Sequence, residues 1–511
     1  MARICSTTPL GLLAALVSAG AHAELQNVSI GGQITILGEY YRHAYPAEAE
    51  LRRPASWFWG RPLGTEGNAL YSGYGWDDRV GGYTLVSQWT RLHLSADFTD
   101  DVGVFIECDS VGVWSEDFRS NYVSGVDARG TSVDDVEVYQ AYVDAGNPFD
   151  LPLHLRLGRQ ELAFGSEWLA GNNDYGAIPL YGLSFDAVRL TCATEAVSLD
   201  AWWSKLAENG AVEEDGDVGF GGVYASYLGL ENIVFDGYWL WLRDAGTLED
   251  VESGLIGEWF ESLVGVDDYG TTNIHTAGLR AAGEVGAFDF DAEVAYQWGD
   301  ADRAGYLFRP VLYGDEGAEY GAWAVRVESG YTWETAWTPR IHAGYAYCGG
   351  EDRRDIAFET WLEALFNPFY RASSVSFNRL FSDVYLSNFL DGTDLSNVHV
   401  FSAGIGAMPT ESLEMSLLLS HLRADEPFAR PVVPWIAFLS RTNNASLGWE
   451  TYIDATYYYS DDVYFCAGWS HLFAGEGLRR GHFVQANGLD FNGGSDDDDA
   501  DYFFFETGII F

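Results

Sequence analysis

AFDFDAEVAYQWG, residues 287–299, is the stretch whose reading decides the fold. Phe288, Phe290, Ala292, Val294, Tyr296 and Trp298 take one parity, and Asp289, Asp291, Glu293 and Gln297 take the other. A period of two marks a strand with one greasy face and one wet face. The alternation returns in NASLGWETYIDATYYYS (444–460), where Leu447, Trp449, Ile453, Ala455 and Tyr457 oppose Ser446, Glu450, Asp454 and Thr456. It returns again at the C-terminus, YFFFETGIIF (502–511): Phe503, Phe505, Ile509 and Phe511 share a face with Thr507, opposite Tyr502, Glu506 and Gly508. A frayed tail would be polar. This one is built to be covered.

Working outward, segments of roughly ten to fourteen residues repeat the pattern, among them VSIGGQITILGEYY (28–41), YTLVSQWTRLHLSADFT (83–99), NIVFDGYWLWL (232–242), AWAVRVESGYTW (322–333) and LEMSLLLSHLR (413–423). Gly, Asp and Asn clusters separate them. Globular strands run to five or six residues, whereas a tilted membrane strand needs about nine to eleven. Trp298, Trp333, Tyr458, Tyr459 and Trp469 sit toward strand ends, where amphipathic rings form girdles at the two interfaces. No sheet edge can be left unpaired in hydrocarbon, so the last strand must close on the first. The fold class expected is all-β: a transmembrane antiparallel β-barrel of about 18 strands, with long extracellular loops and short periplasmic turns. The alternative is a large soluble β-sandwich or propeller with an aromatic core.

The N-terminus, MARICSTTPLGLLAALVSAGAHAEL, has Arg3, an apolar run and Ala-His-Ala before Glu24, the pattern of a cleaved secretory signal peptide over residues 1–23. Residues 24–511 then form a single barrel domain, with long loops at about 42–81, 244–271, 350–395 and 475–499 that exceed ordinary connections. Asp and Glu number 76 against 28 Lys and Arg, with Lys205 the only lysine. Such a surface repels phosphate backbones and excludes a nucleic-acid partner. Cys108, Cys192, Cys348 and Cys466 are far apart and match neither a disulfide scaffold nor a metal-binding spacing.

LRLGRQELAFGSEWLAGNNDYGAIPLYGLSFDAVRLT (155–191) carries Gly-Arg-Gln at 158–160, Gly-Asn at 171–172 and Phe-Asp-x-Val-Arg-Leu at 185–190. Together with TAGLRAAGEVGAFDFDAEVAYQWG (276–299) and LGWETYIDATYYYSDDVYFCAGWSHLFAG (447–475), it resembles the alginate export family of outer-membrane barrels, from about residue 83 to the C-terminus. The resemblance implies an 18-stranded barrel whose lumen, in the best-known members, passes an acidic polysaccharide through an electropositive constriction. The terminal Phe511 likewise resembles the signal read by barrel-assembly machinery.

Parity in this chain puts Arg91, Arg156, Arg189, Arg280 and Arg326 on lumen faces, with Arg159 and Gln160 at a strand end inside the Gly-Arg-Gln motif. An arginine facing lipid near the midplane costs about 2–4 kcal/mol, so inward placement is also the physical expectation. Guanidinium stays charged and grips carboxylates with two prongs. The plainer reading is a ladder in which Asp97, Glu107, Glu293 and Glu328 merely satisfy the arginines. If acids dominate the lumen, cations or neutral sugars are favoured over a polyanion.

Asp496, Asp497, Asp498 and Asp499 offer hard oxygens for a loop-bound Ca2+ but lack EF-hand spacing, and like-charge runs are ordinarily solvated. Apart from that site no cofactor is expected. Trp57, Trp59 and Trp361 are candidates to stack on sugar rings, or simply to pack loops. No HExxH, GxSxG or phosphate loop occurs, so an enzyme is not expected. The expectation is a passive, monomeric outer-membrane channel for a polar solute, an oligo- or polysaccharide such as an alginate-like polymer. The alternatives are a general or sugar-selective uptake porin and a secreted soluble carbohydrate-binding β-protein. Expected partners are outer-membrane lipid, the transported solute and the assembly machinery.

Overall fold

The computed structural model describes residues 24–46, 74–76, 82–99, 101–114, 120–121, 126–127, 136–148, 151–172, 182–208, 217–246, 270–302, 319–350, 375–390, 395–426, 429–433, 436–442, 444–477 and 499–511. The expected signal peptide, Trp57, Trp59, Trp361 and Asp496–Asp498 lie outside the described residues.

Eighteen strands form one sheet. In chain order they are β1 (Leu25–Arg42), β2 (Tyr83–Phe98), β3 (Val102–Val113), β4 (Glu137–Gly146), β5 (His154–Gln160), β6 (Phe185–Ala193), β7 (Val197–Ala207), β8 (Val218–Leu230) and β9 (Ile233–Asp244). They continue as β10 (Thr272–Val285), β11 (Phe288–Asp300), β12 (Glu319–Thr332), β13 (Arg340–Cys348), β14 (Val398–Thr410), β15 (Leu413–Ala424), β16 (Ser446–Tyr458), β17 (Val463–Ala474) and β18 (Ala500–Ile510). Each pairs antiparallel with its neighbour in sequence, and β18 pairs with β1 from Ile510 opposite Gln33 to Asp501 opposite Arg42. The sheet is a closed barrel with no free edge. Three small hairpins stand outside it: Ala44–Pro46 with Tyr74–Trp76, Ser120–Asn121 with Val126–Asp127, and Ala429–Val433 with Ile436–Thr442.

Alternation sorts the side chains across this wall. Leu279, Phe288, Trp298, Trp323, Phe401, Ile405 and Phe505 are exposed on the outer face, while Glu293, of the opposite parity to Phe288 and Trp298, is buried inside. The barrel has two unlike ends. Tight connections such as Gly286–Ala287 and Glu411–Ser412 gather with both strand termini at one end, and every long connection emerges at the other. Aromatic bands mark both interfaces on the outside. Trp203, Trp241, His275, Trp298, Tyr296 and Trp323 make a run of ring contacts near the loop end. Phe288, Tyr331, Trp333, Tyr459 and Phe465 lie toward the turn end. Among the described residues no helix is long and apolar enough to cross a membrane; strands do the crossing.

One assignment by parity is corrected. Leu447 shares odd numbering with Trp449, but Leu447 is 1% exposed inside the barrel while Trp449 is 48% exposed outside. The pairing of β15 with β16 slips between Leu422, opposite Gly448, and Arg423, opposite Ser446, so Leu447 is the extra residue, beside Gly448 at φ 138°. A bulge re-aims the side chain beside it, so odd and even exchange faces at that point. The four described cysteines are all free.

The core sits inside the barrel. Two segments fold into the lumen: 161–172, which follows β5, and 375–390, from the connection between β13 and β14. Leu162, Phe164, Trp168 and Leu169 of the first and Val375, Phe377 and Leu380 of the second join one apolar cluster with Phe185, Trp202 and Phe220 of the wall. Phe389 and Leu390 join another with Tyr41, Val398, Leu422 and Leu472.

Candidate functional site: the lumen constriction

The two inward segments act as one crossbar because they pair with each other. Ala170 and Phe381 form a parallel bridge, and hydrogen bonds run from Gly171 N to Phe381 O at 2.8 Å, from Phe381 N to Leu169 O at 3.1 Å and from Asp383 N to Glu167 O at 2.9 Å. Gly165, at φ 61°, makes the turn, and a Cβ there would stand 2.1 Å from the Tyr224 hydroxyl, so only glycine lets this segment lie on the wall.

Buried carboxylates and amides of the wall hold the crossbar. Ser166 Oγ donates to Glu293 at 2.5 Å, and Tyr238 OH donates to the other oxygen at 2.6 Å. Gln297 and Asn378 exchange two hydrogen bonds, 2.6 and 2.7 Å. Across the lumen, Glu450 accepts from Ser387 Oγ at 2.6 Å, Asn388 N at 2.9 Å, Asn388 Nδ2 at 2.7 Å and Ser470 Oγ at 3.1 Å. Within the bar, buried Arg379 donates to Ser382 Oγ at 3.0 Å, to Leu395 O at 3.3 Å and to Val384 O. Buried polar groups of this kind are costly unless satisfied; satisfied, they fix a single geometry.

Beside the crossbar, neighbouring strands carry a belt of charge in register. Arg156 lies directly opposite Arg189, Asp236 opposite Arg280, Arg280 opposite Glu293, and Glu293 opposite Arg326. Each expected lumen arginine meets a carboxylate. Arg91 Nη2 donates to Gln33 at 2.8 Å, lies 3.6 Å from Glu107 and 3.8 Å from Glu161, and covers the Trp89 ring at 4.2 Å. Arg156 grips Asp144 with two bonds, 2.8 and 3.1 Å, over the Tyr142 ring. Arg189 donates to Asp200 at 2.8 Å, above Phe164 of the crossbar. Arg280 bridges Asp236 and Asp291 at 2.8 Å each, and Arg326 meets Glu328 at 2.9 Å.

Gln160 is buried on the inner side, donating to Gly158 O and Ala187 O at 3.1 and 3.0 Å. Arg159 corrects the expectation of a pore-lining residue. It shares a face with Leu157 and pairs at 2.9 Å with Asp186, which shares a face with Val188; Leu157 and Val188 are exposed on the outside. The reason is parity: Arg156 and Gln160 are even and inward, Arg159 odd and outward. Glu293, expected as an arginine partner, instead receives the crossbar. The actual partners Asp144, Asp200, Asp236 and Asp291 were missed. Asp144 and Asp236 lie directly opposite Arg156 and Arg280, and Asp200 and Asp291 lie diagonally from Arg189 and Arg280, so finding any of them requires the register. Asp499 Oδ1 accepts from Ala474 N at 3.0 Å, and among the described residues no group of three or more His, Cys, Asp or Glu side chains is placed to hold a metal.

The family model described as alginate export matches residues 78–488. The chain belongs to the alginate export family. No curated protein matches it. Among solved structures, Pseudomonas aeruginosa OccK9 (OpdG) is similar at TM-score 0.50 and 11% identity, covering 95% of this chain and 99% of that one. The outer membrane protein OprD of the same organism is similar at TM-score 0.49 and 10% identity, with 97% of each chain covered. OccK8 (OprE) follows at 0.48 and 12%, covering 94% and 98%. At 11% identity the likeness to OccK9 (OpdG) speaks to fold alone. This alginate export family member is an outer-membrane barrel with the architecture of a channel.

Proposed function

We propose that this barrel is a passive diffusion channel whose cargo is a small polar solute of the oligosaccharide class, neutral or cationic, passing beside the crossbar through the charged belt. The observation that carries the reading is that all five belt arginines are already engaged by carboxylates, and that carboxylates outnumber them on the inner wall. Glu39, Glu450, Asp454 and Glu506 add further inward acids on strands where the partners are hydroxyls and amides: Tyr41 and Tyr502 for Glu39, and Tyr464 for Glu506. Low-dielectric walls focus such a field and favour cations in the pore. A neutral sugar would meet paired forks and tyrosine hydroxyls without displacing a counter-ion.

A second reading, passage of an alginate-like polyanion, is favoured by a specific detail. At four positions the arginine is the more exposed member of a pair: 16% against 7% for Arg91 and Glu107, 27% against 23% for Arg156 and Asp144, 23% against 10% for Arg189 and Asp200, and 12% against 2% for Arg280 and Asp236. Reversal potentials of the purified protein in planar bilayers under a salt gradient separate the two. Cation preference supports the first reading, and anion preference would overturn it in favour of the second.

A further inference from the structure

The outer face of the barrel at the loop end carries cations among its aromatics, although the chain as a whole has a net charge of −48. Most of them are paired on that face: Arg42 with Asp501 at 3.8 Å, Arg159 with Asp186 at 2.9 Å, and Lys205 with Asp217 at 2.8 Å. Arg423, next to the end of β15, differs. It is exposed, it alternates outward with Leu419 and His421, and it makes no ion pair among the described residues.

The neighbours explain why it is left over. His399 lies directly across from Arg423 on β14, and its Nε2 meets Asp425 Oδ1 at 3.0 Å while its Nδ1 meets the Tyr345 hydroxyl at 2.9 Å. The other Asp425 oxygen accepts from Gly350 N at 2.9 Å and from Tyr347 OH at 3.2 Å. Asp425, the acid two residues on from Arg423, is thus already used. On the other side, the slip at Leu422 and Arg423 sets Ser446 opposite Arg423 and Trp449 opposite His421, their rings 4.6 Å apart. The result is an open guanidinium at the rim, an imidazole beside it, and exposed Trp449 and Phe401 below it toward the membrane.

We propose that Arg423, with His421 beside it, docks a phosphate monoester of an outer-leaflet glycolipid, with Trp449 and Phe401 against its acyl chains. The long loops of an outer-membrane barrel are extracellular, so this rim is level with outer-leaflet headgroups. A flexible basic side chain at that depth reaches toward the headgroups. Arginine grips phosphate with two parallel bonds, and a monoester bears nearly two negative charges. An uncommitted fork facing headgroups is complementary to that group, whereas its paired counterparts are not.

The test is binding of diphosphorylated lipid A to the full chain in detergent, followed by native mass spectrometry. Dephosphorylated lipid A and phosphatidylglycerol serve as comparison ligands, and Arg42→Gln as a comparison variant. Expected are retention of the phosphorylated glycolipid by the wild type, a loss of about tenfold in Arg423→Gln, partial recovery in Arg423→Lys, and no change in Arg42→Gln. Equal binding of the dephosphorylated glycolipid or of phosphatidylglycerol by the wild type would overturn the proposal whether or not any variant folds. So would undiminished binding by a folded Arg423→Gln, as judged by heat-modifiable migration.

Discussion

The inner wall from β2 to β12 and the inner wall from β13 through β18 to β1 are made by the same alternation, yet they satisfy their carboxylates by different chemistry. On the first, Asp144, Asp200, Asp236, Asp291 and Glu328 each meet an arginine. On the second, Glu39, Glu450, Asp454 and Glu506 meet tyrosine, serine and asparagine donors, and Arg340 at the turn end turns back to Asp289 of the first wall. Each wall also grips one part of the crossbar by a buried glutamate, Glu293 and Glu450. A carboxylate in a lumen can therefore be held by charge or by hydroxyl dipoles, and only the hydroxyl-held wall presents its negative charge without a cation beside it.

The comparison can be broken most forcefully at Arg280. Arg280→Met strands Asp236, 2% exposed, with no cation, and an uncompensated buried charge costs about 3–5 kcal/mol. The unfolding temperature read by heat-modifiable gel migration should fall and should recover when Asp236→Asn is added. No loss in the single variant would mean that the belt is not ionic. On the opposite wall, Glu450→Ala removes the acceptor of four hydrogen bonds that hold residues 387–388 and Ser470, weakening the crossbar's hold by about 2–4 kcal/mol. Single-channel conductance should rise and become noisy; an unchanged, quiet pore would show that the crossbar does not limit flow.

Two finer substitutions compare the walls by selectivity. Asp454→Asn removes a charge that, among the described residues, is held by the Ser416 hydroxyl rather than by a cation, and the cation-to-anion permeability ratio should fall by about twofold. Arg156→Gln acts in the opposite direction, since it frees Asp144 on the first wall. The ratio should rise, by less than twofold, because the pair it dissolves was already neutral. Shifts of the same sign from both would erase the distinction between the walls.

Much of the fold was legible in the chain. Phe288 to Trp298 alternate as they face lipid and lumen, and the aromatic C-terminus is the last stave, closed on β1. The family resemblance read from 155–191, 276–299 and 447–475 agrees with the match over 78–488. Five inward arginines could be found by parity because a cation on the lipid side is penalised. Arg159 and Leu447 escaped for local reasons. One stands at a strand end, where its outward charge is neutralised by Asp186, and the other is the extra residue of a bulge that reverses parity. The partners of the arginines escaped because a contact across strands, direct or diagonal, depends on register, which one-residue slips alter completely.

Parity is a property of neighbouring residues, so the sequence by itself determined that this chain makes a wall with an oily side and a wet side, and that the five belt arginines take the wet one. What lies across the lumen is non-local. Ser166 meets Glu293 and Asn388 meets Glu450 only when the ring has closed and the two long connections have turned inward. Only the tertiary structure therefore decided that the belt is paired, that a crossbar narrows the lumen and that Arg423 is left without a carboxylate among the described residues. Those outcomes depend on which distant strands and loops compete for the same few polar atoms.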